Sequence, residues 1–130
     1  MCGLVGVYSF KNNIIENNDY INWALSTMRR RGPDSSKIWT NNKNFIAGFN
    51  RLSIRDLSTN ANQPMLSKCK RYIIVFNGEI YNSDKFRNRL LNMGVKFNSH
   101  SDTEVLLNGL IYLGLDSVLE KYDGMYAFLL

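Results

Sequence analysis

Cys2 is the residue best placed to act as a nucleophile, because it stands directly after Met1. Removal of Met1, which a residue as small as Cys2 permits, leaves a thiol and a free α-amine on one residue. An unperturbed α-amine titrates near pH ~8 and a thiol near ~8.5. The amine is then partly neutral near physiological pH and can take the thiol proton, so one terminal residue carries both nucleophile and base. Three other places hold groups suited to a polar ligand. Arg51 could grip a carboxylate with two N–H donors, although a lone arginine is more often a solvated charge. Asn77 and Gly78 offer a side-chain N–H and an unobstructed backbone N–H, the two donors of an oxyanion hole. By pattern alone, Asn-Gly between apolar runs reads first as a hairpin turn. Asp102 could hold a ligand ammonium, but the first turn of a helix explains its charge equally well.

Composition narrows the setting for such chemistry. The 130 residues suit one domain, and 45% hydrophobic with 21% charged residues reads as soluble and globular rather than disordered. No apolar run approaches the ~20 residues of a membrane helix. The run Leu4-Val5-Gly6-Val7-Tyr8 has no basic region before it and no small-residue cleavage site after it, so it is not a signal peptide. Cys2 and Cys69 stand far apart and His100 is the sole histidine, which leaves no ligand set for a metal. A reducing cytoplasm is the natural compartment for a nucleophilic thiol. The net charge of +5 gathers at Arg29-Arg30-Arg31 and at Lys68 to Arg71. No RNA-binding aromatic motif accompanies these clusters, and nucleic acid is disfavoured as a partner.

The elements that must position these groups follow from local pattern. Leu4 to Phe10 predicts a strand buried on both faces. Gly3 and Gly6 beside Cys2 either permit tight packing or leave room for a substrate to reach the sulfur. Lys11 to Asn18 reads as loop, and Asp19 as the cap of a helix from Tyr20 to about Arg30 with Ile21, Ala24, Leu25 and Met28 on one face. Arg29 to Arg31 suit the helix C-terminus, and Gly32-Pro33 stops it, leaving Asp34 near a sheet. Lys37–Thr40 and Phe45–Asn50 predict a hairpin across Asn41 to Asn44. Leu52, Ile54 and Leu57 point one way, which sets Arg51 at the margin of a buried surface. Arg71 to Phe76 predicts a strand, and Ser83 or Asp84 caps a helix carrying Phe86, Leu90 and Met93 that ends at Gly94. Val95 to Asn98 reads as a short strand. Ser101-Asp102-Thr103-Glu104 forms a capping box before a helix that ends at Gly114. A shorter helix from Asp116 to Tyr122 turns Val118 and Leu119 inward, and Met125 to Leu130 reads as a strand stopped mid-course.

Taken together and in order, these segments resemble one family. They are Met1-Cys2-Gly3, Arg31-Gly32-Pro33-Asp34, Arg51-Leu52-Ser53-Ile54, Gln63-Pro64-Met65, Asn77-Gly78-Glu79-Ile80-Tyr81-Asn82, Ser101-Asp102-Thr103-Glu104 and Gly124-Met125-Tyr126-Ala127-Phe128. The family is the glutaminase domain of class II, N-terminal-nucleophile glutamine amidotransferases, and the likeness is strongest to the glutamine-hydrolysing asparagine synthetases. The resemblance implies an α+β fold, a four-layer α-β-β-α sandwich of the N-terminal-nucleophile (Ntn) hydrolase type. It implies Cys2 as nucleophile with its α-amine as base, and Asn77 and Gly78 as the oxyanion hole. Arg51 would bind the α-carboxylate of L-glutamine, with Leu52, Ser53 and Ile54 lining the pocket. Asp102 would bind the ammonium, and Glu79 would lie in the substrate loop. The family's domain continues past Leu130 into an ATP- and Mg²⁺-using synthetase domain, so residues 1–130 read as a C-terminally truncated glutaminase domain. On that expectation no cofactor belongs to this segment, a synthetase domain is the partner in cis, and the Met125–Leu130 edge is open to aggregation. A homodimer is left open. Histidines common in the family are replaced here by Arg30, Phe49-Asn50 and Asn62. Two alternatives remain: an amidotransferase whose acceptor is a sugar or another carboxylate, and a non-catalytic binding module or remnant.

Overall fold

The computed structural model describes residues 2–11 and 18–130. Among these residues it is an α+β arrangement of two three-stranded antiparallel sheets and four α-helices. The first sheet has the order β1-β3-β2, from β1 (Gly3–Tyr8), β2 (Ser35–Thr40) and β3 (Phe45–Arg51). β2 and β3 form the expected hairpin. Asn42 takes a left-handed φ of 57°, and the Asn41 carboxamide oxygen accepts the N–H groups of Lys43, Asn44 and Phe45, each at 3.0 Å. The second sheet joins β4 (Met65–Leu66), β5 (Ile73–Ile80) and β6 (Gly124–Leu129). Gln63, two residues before β4, extends that pairing with its side chain. Its Oε1 accepts the Phe76 N–H at 2.5 Å and its Nε2 donates to the Phe76 carbonyl at 3.0 Å.

Helix α1 (Asn18–Thr27) lays Ile21 and Leu25 on Ile46 of β3, with Val5, Val7 and Met28 around them. Its inward face is the one the 3.6-residue period predicts. The helix begins before Asp19, and Arg29–Arg31 form a separate 3₁₀ turn instead of its last turn. The other face of the first sheet meets the second through Ala47, Phe49 and Val75, flanked by Cys2, Leu4 and Leu129. β1 therefore packs on both faces, but it is an edge strand and only part-buried, with Tyr8 exposed. The would-be Cβ of Gly3 meets Met28, and that of Gly6 meets Leu129. Both glycines serve close packing, and the expectation of substrate room is not met there.

Helices α2 (Ser83–Asn92), α3 (Asp102–Leu113) and α4 (Leu115–Lys121) share the largest core with the second sheet: Ile74, Phe76 and Ile80 against Phe86, Val105, Leu106, Leu110 and Val118. Met93 and Leu119, expected inward, are about half exposed because the short α2 and α4 each turn only a narrow face to that core. Val95 to Asn98 is not a strand. The N–H groups of Asn98 and Ser99 go to the Glu104 carboxylate at 2.7 to 3.1 Å instead of to a strand neighbour. That use of Glu104 leaves the capping box half made: Ser101 Oγ accepts the Glu104 N–H at 3.3 Å, but Glu104 reaches past Ser101. Part of the loop expected at Lys11 to Asn18 lies outside the described residues, and Asn18 already belongs to α1.

The clearest correction concerns Asn77-Gly78. These residues are not a turn but lie inside β5, opposite Ala127 and Tyr126 of β6. A Cβ on Gly78 would come within 2.6 Å of the Tyr126 Cα, so the glycine marks a close approach of two backbones. Glu79 likewise stands in the strand and not in a loop.

Candidate active site

An open cleft of about 290 Å³ lies where the ends of the two sheets face each other. Its wall includes Cys2, Arg51, Leu52, Ile54, Asn77, Gly78, Glu79 and Asp102, which come from the residue before β1, the end of β3, the following loop, β5 and the start of α3. The structure thus brings together all the singled-out residues except Ser53, which turns its backbone away from the wall. The Ser53 N–H donates to Asp34 Oδ2 at 2.6 Å.

Cys2 precedes β1 and is half-buried. The Leu52 N–H points at its sulfur from 3.3 Å, and the thiol lies 3.7 Å from the Leu52 carbonyl oxygen. The Cys2 carbonyl accepts from Arg31 Nε at 3.0 Å. The Arg31-Gly32-Pro33-Asp34 segment is therefore more than a helix stop. Arg31 fixes the strand that bears the thiol, and Asp34 fixes the loop behind it. Gly32 makes the approach possible, since a Cβ there would strike the Asn50 carbonyl and come within 2.7 Å of the Arg51 nitrogen.

Arg51 is not marginal but buried, with 7% exposure, whereas Ile54 and Leu57 are largely exposed. The expectation that these apolar residues face a core fails because the loop curls around the arginine. Nη1 donates to the Ser58 carbonyl at 2.8 Å and to Asn62 Oδ1 at 2.7 Å, and Nη2 donates to the Asp56 carbonyl. A guanidinium has five donors, so two remain for a ligand. Asn62 thus orients Arg51. Asn50 is fully buried. Its Nδ2 donates to the Leu25 carbonyl at 2.6 Å, and its Oδ1 has no partner among the described residues.

The loop is closed by Asp56, whose carboxylate accepts the Ser58 N–H and the His100 N–H, each at 2.7 Å. Hydrogen bonding from Ser58 is the largest influence and burial, which opposes it, the next; with the His100 N–H and the nearby Arg51 charge added, this carboxyl is held below its ordinary value.

Asp102 is buried at the start of α3, and its Oδ2 accepts the Ile80 N–H at 3.0 Å. Its charge is met by Arg55, whose Nη1 lies 2.8 Å from Oδ1 and 2.9 Å from Oδ2. Arg55 was missed from sequence. The signal available was faint: a second arginine four residues after Arg51, with nothing in the pattern to say which carboxylate it would find. Among the described residues no cluster of three or more His, Cys, Asp or Glu could hold a metal, and no helix is long and apolar enough to cross a membrane.

A thiol, a strand offering an amide side chain beside a glycine, a buried guanidinium and a buried carboxylate line one cleft. The chain belongs to the glutamine amidotransferase domain family, whose model matches residues 1–130. It is 35% identical over 130 residues to asparagine synthetase (glutamine-hydrolyzing) 3 of Bacillus subtilis, covering 98% of this chain and 21% of that protein. It is also 35% identical over 130 residues to asparagine synthetase B (glutamine-hydrolyzing) of Escherichia coli, covering 100% of this chain and 23% of that protein. With asparagine synthetase (glutamine-hydrolyzing) 1 of Arabidopsis thaliana it shares 32% identity over 130 residues, 100% of this chain and 21% of the relative. These relatives are enzymes of the amidotransferase type, and this chain spans about a fifth of their length.

Proposed function

We propose that this chain hydrolyses the side-chain amide of L-glutamine to glutamate and ammonia through a thioester on Cys2. The observation that carries the reading is the convergence of Cys2, Arg51, Asn77, Gly78 and Asp102 on one cleft from four separate segments. With Met1 removed, the Cys2 amine takes the thiol proton and the thiolate adds to the amide carbon. The oxyanion is stabilised by the Asn77 side chain and the Gly78 N–H. The C–N bond breaks, the nitrogen takes the proton held by the Cys2 amine, and ammonia leaves. Water, deprotonated by the same amine, then adds to the thioester and releases glutamate and the thiol. Arg51 grips the α-carboxylate with its two spare donors, Asp102 receives the ammonium, and Leu52, Ile54 and Glu79 shape the cleft.

The packing supports the finer fold of this class. α1 covers one sheet, α2 to α4 cover the other, and the two sheets meet through Phe49 and Val75. That sequence of layers is what a four-layer α-β-β-α sandwich of the Ntn-hydrolase type requires. In the whole protein the ammonia would pass to an ATP- and Mg²⁺-dependent synthetase domain in cis that amidates aspartate. The test is ammonia release from glutamine by the wild type and by Cys2→Ala. Release that depends on Cys2 supports the proposal, and release unaffected by Cys2→Ala refutes it.

A further inference from the structure

We infer that Arg55 is a specificity-determining residue: it is a resident counter-ion on Asp102 that the amine of an incoming amino acid must displace. The inference rests on the glutaminase reading of the cleft. Both residues line the cleft, and the Asp102 side chain is 7% exposed while that of Arg55 is 46% exposed. A carboxylate offers about four lone-pair directions. The Ile80 N–H takes one at 3.0 Å, and Arg55 Nη1 is shared between both oxygens at 2.8 and 2.9 Å. What is left cannot serve the three donors of a substrate ammonium, and a second cation against the first would be repelled.

The geometry also shows that Arg55 can leave. One nitrogen makes both contacts, so this is not the two-pronged guanidinium–carboxylate fork that locks such pairs. The same Nη1 lies 3.4 Å from Ser83 Oγ, which offers an alternative acceptor next to the site. Nearly half of the Arg55 side chain is in solvent, so the guanidinium regains water as it leaves the carboxylate. Asp102 keeps its orientation from Ile80 whether or not Arg55 is present. Arg55 therefore reduces the advantage that an α-amine gives a substrate, and the wild-type cleft discriminates less between glutamine and the same molecule without its amine than Asp102 alone would allow.

The experiment compares ammonia release from glutamine and from 4-carbamoylbutanoate, which has the amide and carboxylate but no amine. It uses the full chain as wild type, Arg55→Met, Arg55→Gln, Arg55→Lys and Asp102→Asn. Removing the charge with Met or Gln is expected to raise the ratio of kcat/KM for glutamine over the analogue by about fivefold, through a lower KM for glutamine. Arg55→Lys keeps the ratio near the wild-type value, and Asp102→Asn collapses it. The inference is overturned if both charge-removing variants leave the ratio unchanged or lower it while Asp102→Asn still collapses it, for Arg55 would then be only a brace. An Asp102→Asn ratio equal to the wild type's removes Asp102 from the ammonium site and overturns the inference with it, whereas a wild type that releases no ammonia from glutamine overturns the glutaminase reading itself. Met and Gln differ in packing but share the loss of charge, so one misfolded variant does not decide the result.

Discussion

The two sheets that form the cleft are built to different depths. The β4-β5-β6 sheet is backed by three helices and a core that runs from Met65 to Tyr122, with the Phe86 and Tyr122 ring centres 4.0 Å apart and the rings tilted by 40°. Among the described residues the β1-β3-β2 sheet is backed by α1 alone, through Ile21, Leu25 and Ile46. Asn77, Gly78 and Asp102 ride on the deep half. Cys2 and Arg51 belong to the shallow half, where position is set by polar contacts at strand ends: Arg31 on the Cys2 carbonyl, Asp34 on Ser53, and three acceptors on Arg51. The residues proposed as oxyanion donors and ammonium site are thus placed chiefly by packing, and those proposed as nucleophile and carboxylate site chiefly by hydrogen bonds. Local opening should begin on the thiol side, with β1 amides exchanging before those of β5 and α3.

The largest effect expected is on the deep half. Phe86 is 3% exposed, and Phe86→Ala should cost on the order of 3–5 kcal/mol in urea unfolding. A loss no greater than that of a shallow-half variant would erase the contrast. Asn77→Ala comes next, and its cost falls on the reaction rather than on the fold. Losing one oxyanion donor should lower kcat for glutamine roughly a hundred- to a thousandfold, about 3–4 kcal/mol of barrier, with little change in melting temperature. A drop of less than about tenfold would remove Asn77 from that role.

On the shallow half, Gly32→Ala drives a methyl group into the Asn50 carbonyl and the Arg51 nitrogen. It should cost about 1–3 kcal/mol of stability and raise the glutamine KM through a displaced Arg51. A stability loss with KM unchanged would show that Arg51 is positioned by its loop alone. The smallest effect is that of Asp56. Its carboxyl lies below the ordinary value in the folded state, so its contribution is fully present above the unfolded pKa of ~3.9 and is lost as pH falls through the lower folded value. The melting-temperature gap between wild type and Asp56→Asn should close as pH drops below ~4, and a gap that widens there contradicts the assignment.

Much of this arrangement could be read from residue patterns, because the inward faces of α1 and α3 and the Asn41–Asn44 turn are local properties. The misreadings came where a local rule met a tertiary contact. Asn77-Gly78 has turn chemistry, but opposite Tyr126 it serves as a gap for close strands. Glu104 has the spacing of a capping box, but two upstream N–H groups claim its carboxylate. Leu52, Ile54 and Leu57 suggested a buried stripe, while the loop instead wraps a buried arginine whose partners lie up to 11 residues away. The Arg55–Asp102 pair spans 47 residues and follows from no spacing rule.

The most direct measurement is mass spectrometry of the full protein quenched in acid during turnover with glutamine, followed by peptide mapping. The expected result is a chain that starts at Cys2 and carries a γ-glutamyl group on that residue. A chain that keeps Met1 while turning over glutamine, or an acyl group found on Cys69 instead, would contradict the assignment of Cys2 as nucleophile and base.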